Sequence, residues 1–120
     1  MKRIAIISLV ISFLSATTIN VPADYATIQG AINQSVDGDT VLVAEGTYYE
    51  NLMINKEITL MSTANFDDDI EGNENWHDNQ VINQTIVNGS NLANPNKRSC
   101  LVVRDGDVQP TIKGFTFEGG

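Results

Sequence analysis

The sequence predicts an all-β chain: short strands wound into a stack of coils and introduced by a single helix. Two observations favour it. Apolar residues recur at every second position at Val41 and Val43, Leu52 and Ile54, and Ile58 and Leu60, the two-residue period of a strand with one buried face. Turn residues separate the runs at Gly46, Asn55-Lys56, Asn88-Gly89, Asp105-Gly106 and Gly119-Gly120, where Asn and Gly tolerate left-handed backbone conformations. The runs are not joined as tight two-residue hairpins, the strongest short-range signal of antiparallel pairing. An antiparallel sandwich stays open as the competing class, because many short strands with turns suit it too.

The first sixteen residues stand apart. Lys2 and Arg3 make a basic start, Ile4 to Leu14 an apolar run, and Ser15-Ala16 a small-residue end, the order of a secretory signal peptide. Eleven apolar residues fall short of the ~20 a membrane-spanning helix needs. Cleavage is expected after Ala16, Thr17 or Thr18, leaving residues 17–120 as one exported domain at the cell surface or outside it, with no membrane span. Thirteen Asn and nine Gly against three Pro fit a turn-rich fold. The formal charge is −8, and losing Lys2 and Arg3 with the leader makes it more negative by two. Nucleic acid is not expected as a partner, because its phosphates are bound through Lys and Arg, and an anionic membrane surface is disfavoured for the same reason. Cys100 is the sole cysteine, so packing rather than an internal disulfide must hold the fold.

Along the domain, Ile19 and Val21 read as a strand before Pro22. Asp24 or Thr27 can cap the helix that follows, whose Ile28, Ala31 and Ile32 share one face. Gln29, Asn33 and Gln34 lie opposite, and Gly38 is expected to end the helix in a left-handed conformation. The three alternating runs come next. Beyond an insert at 62–80 stand further strands at Ile86, Leu101 and Val103, Ile112, Phe115 and Phe117, with no second helix. Thr85-Ile86-Val87-Asn88-Gly89 and Thr111-Ile112-Lys113-Gly114-Phe115 look like variants of one element. Their isoleucines are 26 residues apart, a spacing typical of solenoid repeats.

Val21-Pro22-Ala23-Asp24-Tyr25-Ala26-Thr27-Ile28-Gln29-Gly30-Ala31-Ile32, then Gly38-Asp39-Thr40-Val41-Leu42-Val43 and Gly46-Thr47-Tyr48-Tyr49-Glu50-Asn51, resemble the opening of pectin-lyase-like β-helix proteins. Gln84 to Gly89 and Ile112 to Gly120 are similar to the first repeats of the same group, so the likeness covers about 19–61 and 81–120. It implies a right-handed parallel β-helix whose first helix lids the open end of the barrel, as terminal repeats of solenoids require. Val41, Val43, Leu52, Ile54, Ile58 and Leu60 would line the first turn, with Tyr48 turned inward. The run ending at Gly120 stops inside a repeat, so the chain reads as C-terminally truncated.

No catalytic constellation is found. His77 is the only histidine, and no Ser or Cys has a nucleophile's setting. Glu45 and Glu50 are candidates for paired carboxylates, with Glu50 read as fixing the turn Gly46-Thr47-Tyr48-Tyr49 that precedes it. In the enzymes that the chain resembles, pectate lyases and pectin methylesterases, the catalytic residues sit on later coils, and none carries over. No cofactor is expected. Asp67, Asp69, Glu71, Gly72, Asn75 and Asp78 approximate the ligand positions of a calcium loop. They depart from it in the final Asp, in Glu74 and in the absence of flanking helices, so 67–78 reads as a solvated acidic loop with calcium as the weaker alternative. Trp76 and Tyr49 are candidate flat faces for a sugar ring, against a reading in which both anchor the insert. The expected function is an exported scaffold or carbohydrate-binding β-helix protein with polysaccharide as its partner. The alternative is the N-terminal part of a polysaccharide-active enzyme whose active site lies beyond Gly120.

Overall fold

The computed structural model describes residues 15–64 and 80–120 apart from 92, 95 and 97. Residues 1–14 of the expected leader, the acidic loop at 67–78, Trp76 and His77 lie outside the described residues. Among those described, nine strands and two short helices form an all-β architecture of three sheets in which every strand pair is parallel. The strands are β1 (Thr18–Val21), β2 (Thr40–Val43), β3 (Gly46–Tyr49), β4 (Leu52–Ile54), β5 (Thr59–Ser62), β6 (Thr85–Asn88), β7 (Leu101–Val103), β8 (Thr111–Lys113) and β9 (Thr116–Glu118). The helices are α1 (Ile28–Gln34) and α2 (Gln80–Gln84).

The first sheet has the order β1-β2-β5-β8, the second β3-β6-β9 and the third β4-β7. The chain therefore visits the sheets in turn, β2, β3, β4, then returns for β5, β6, β7, then β8 and β9. Neighbours in a sheet are distant in sequence, so no two-residue hairpin joins any pair and the antiparallel sandwich is excluded.

Parallel register converts the sequence pattern into columns. Ile19, Val41, Leu60 and Ile112 stack across the first sheet, and Val41 and Leu60, flanked on both sides, are fully buried. Leu52 stacks on Leu101 and Ile54 on Val103 in the third sheet, while Tyr48, Val87 and Phe117 stack in the second. The inward columns run out at their last members: Val103 and Phe117 are each 42% exposed. Beside the apolar column of the first sheet runs another made wholly of threonines, Thr18, Thr40, Thr59 and Thr111, β-branched side chains that suit a pleated surface.

Four details depart from the sequence reading. Gly46 to Tyr49, read as a turn, is the strand β3. A second helix exists, the single turn α2. On β6 the buried residues are Thr85 and Val87 rather than Ile86. Gly38 has φ +92 but does not end α1. The helix closes at Ser35, whose N–H and hydroxyl both reach Ile32 O, and Gly38 instead turns the chain into β2.

α1 buries Ile28, Ala31 and Ile32 as expected, and the two isoleucines contribute roughly 1.5–3 kcal/mol each when removed from water. Seven residues are too few for a helix to persist by itself; side chains from the strand segments hold both its ends. Glu50 accepts hydrogen bonds from Ile28 N and Gln29 N, both at 2.9 Å. Thr27, not Asp24, is the N-cap, its hydroxyl accepting from Gly30 N. At the other end Lys56 Nζ donates to the carbonyls of Ile32, Asn33 and Ser35. An anion at the N-terminus and a cation at the C-terminus complement the helix dipole.

Asp39 fastens β1 to the turn before β2, accepting from Thr17 N and Val36 N at 2.9 Å each. The Val36 N–H first, then the Thr17 N–H, hold its carboxyl below the usual carboxylate value of 3.8 against the opposing effect of burial. A lowered folded-state pKa contributes stability above 3.8 that fades as pH falls through the lowered value. Asp39→Asn is therefore expected to lower the unfolding free energy at pH 7, with the gap to wild type closing below about pH 4, measured by urea denaturation across pH. Tyr48, whose hydroxyl donates to Ala44 O at 2.8 Å, has its pKa raised by burial and then by Glu50.

Candidate groove on the third sheet

Among the described residues the third sheet has only β4 and β7, and its outward side chains are Met53 and Val102, in register with one another and 42% and 37% exposed. These two form the apolar floor of a groove of about 560 Å3, within the ~300–1,000 Å3 typical of ligand pockets. Polar side chains surround that floor: Gln29 and Asn33 from α1, Asn51 before β4, Asn96 and Ser99 before β7, and Arg104 after it.

Two of these build the walls. The Gln29 amide donates to Met53 O at 3.1 Å and accepts from Met53 N at 2.8 Å, matching the hydrogen bonds of a neighbouring strand and closing that edge of β4 against α1. Its Nε2 also reaches Asn33 Oδ1. Asn51 Nδ2 donates to Gly89 O and Ser99 O, and its Oδ1 accepts from Asn91 Nδ2. The 89–100 segment is thereby drawn in so closely that a Cβ at Gly89 would lie 2.9 Å from Cys100 Cα.

The remaining polar groups are unengaged. Among the described residues, Asn33 Nδ2, the Asn96 side-chain amide, Ser99 Oγ and the Arg104 guanidinium make no hydrogen bond within the protein. Most of that capacity is donor capacity, so the groove is suited to a ligand rich in oxygen acceptors with apolar faces between them.

The described residues singled out in the sequence lie elsewhere. Tyr49 sits on the second sheet and is 74% exposed. Glu45 is exposed, and both oxygens of Glu50 are engaged by the start of α1. Among the described residues no three His, Cys, Asp or Glu side chains gather into a metal-holding group. No helix among them is long and apolar enough to cross a membrane. Sequence reasoning missed the groove because Met53 and Val102 are separated by 48 intervening residues and meet only through parallel stacking. No family model, curated protein or solved structure matches the chain.

Proposed function

We propose that this chain is an exported right-handed parallel β-helix of the pectin-lyase-like kind, lidded by α1, which binds polysaccharide along the groove of its third sheet. The observation that carries the reading is the groove itself: an apolar floor made by two stacked rungs, bordered by unused hydrogen-bond donors. A sugar ring offers C–H faces to such a floor and hydroxyl oxygens to such donors. The order in which the chain visits its three parallel sheets supports a coiled stack, and the leader supports export. Stacked rungs repeat at about 4.8 Å, so the groove runs along the direction in which strands add and suits a linear polymer.

Affinity electrophoresis of the full chain through gels containing xylan, β-glucan, glucuronoxylan or polygalacturonate tests this. At least one polymer is expected to retard the protein, and the Met53→Asp/Val102→Asp variant is expected to migrate as in a blank gel. Both substitutions point outward and should change stability by only about 0.5 kcal/mol each. Failure of every polymer to retard the wild type contradicts the reading.

A further inference from the structure

Arg104 is the cation among the residues lining the groove, in a chain with 15 Asp and Glu against 7 Lys and Arg. Its backbone N–H donates to Ile54 O at 2.9 Å and so fixes where the residue leaves β7. Its guanidinium has no hydrogen-bond or ion-pair partner among the described residues. In so acidic a chain a carboxylate partner would be readily available, yet this planar fork of donors stays free beside Met53 and Val102.

We infer that the groove selects glycans bearing isolated carboxylates among neutral sugars, with Arg104 as the residue that reads the acid. This rests on the glycan-binding reading above. A guanidinium matches a carboxylate with two parallel hydrogen bonds, and such charge-assisted bonds outweigh those to a neutral hydroxyl. The other unused groups, Asn33 Nδ2, the Asn96 side-chain amide and Ser99 Oγ, are neutral and pair with hydroxyls. A polymer charged at every sugar would gain one partner at Arg104 and bring its remaining carboxylates against a molecule of net charge −8, where like charges repel. A wholly neutral polymer leaves the guanidinium without its best partner. One acid among several neutral sugars satisfies both conditions.

Calorimetric titration of the full chain with three probes decides the matter: glucuronoxylan, the same polymer with its carboxylates reduced to alcohols, and polygalacturonate. Glucuronoxylan is expected to bind roughly tenfold more tightly than its reduced form, the equivalent of one charge-assisted pair, and more tightly than polygalacturonate. Arg104→Gln should abolish the difference between native and reduced polymer, and Arg104→Lys should restore part of it. The advantage should shrink with added salt. Equal binding of native and reduced polymer, an unaltered ratio in Arg104→Gln, or a preference for polygalacturonate overturns the inference and leaves glycan binding standing. Absence of binding to all three, together with no retardation in the gels above, removes the glycan reading and this inference with it.

Discussion

Leu60→Ala is expected to lower the unfolding free energy by about 2–5 kcal/mol, enough to unfold much of the population of a marginally stable domain. Leu60 is fully buried and stacked between Val41 and Ile112. Its truncation removes apolar surface and leaves a void bordered by rungs that cannot shift independently, because the backbone register of β2, β5 and β8 fixes their spacing. Val36→Ala is the control. Val36 is 48% exposed, and its loss should cost no more than about 0.5 kcal/mol. Urea titration followed by circular dichroism reads both. Comparable losses in the two variants would show that the column is not the core.

Glu50→Ala is expected to cost about 1.5–3 kcal/mol, the range for hydrogen bonds to a charged acceptor. It leaves the N–H groups of Ile28 and Gln29 without their acceptor and takes away the anion that complements the helix dipole. A seven-residue helix has little stability to lose, so α1 should loosen and uncover Ile28 and Ile32. Binding of a hydrophobic dye at pH 7 should rise in Glu50→Ala and rise less in Glu50→Gln, which keeps one acceptor oxygen. An unchanged stability would mean that α1 is held by its apolar face alone.

The parts of the fold legible in the sequence are those where composition and period agree. Val41 and Val43, Leu52 and Ile54, and the face formed by Ile28, Ala31 and Ile32 all occur where alternation or helical spacing places them. The second sheet was harder to read. In Thr85-Ile86-Val87-Asn88 every residue before the Asn is β-branched, so either phase of the strand is plausible by propensity. α2 ends directly against β6, and Thr85 and Val87 turn inward. Gly46-Thr47-Tyr48-Tyr49 read as a turn because of its leading glycine, yet pairing with β6 makes it a strand. The threonine column left a signal that went unused: Thr40, Thr59 and Thr111 each stand directly before an inward apolar residue.

The candidate site was illegible for a different reason. None of its residues forms a motif, since α1 supplies two, the β4 region others and the β7 region the rest. Two of them, Gln29 and Asn51, have roles that exist only between elements: one stands in for a strand at the edge of β4, the other ties the 89–100 segment to the rung before it. Local pattern cannot reveal such roles, because the hydrogen bonds that define them span 24 positions for Gln29 to Met53 and 48 for Asn51 to Ser99.

The fold and its groove both depend on distant segments lying side by side in parallel, and nuclear Overhauser contacts between backbone protons test that most directly. Parallel stacking predicts contacts from Val41 to both Ile19 and Leu60, and from Met53 to Val102. Contacts joining β2 to β3, or β3 to β4, in the alternating pattern of antiparallel hairpins would contradict the fold and dissolve the groove with it.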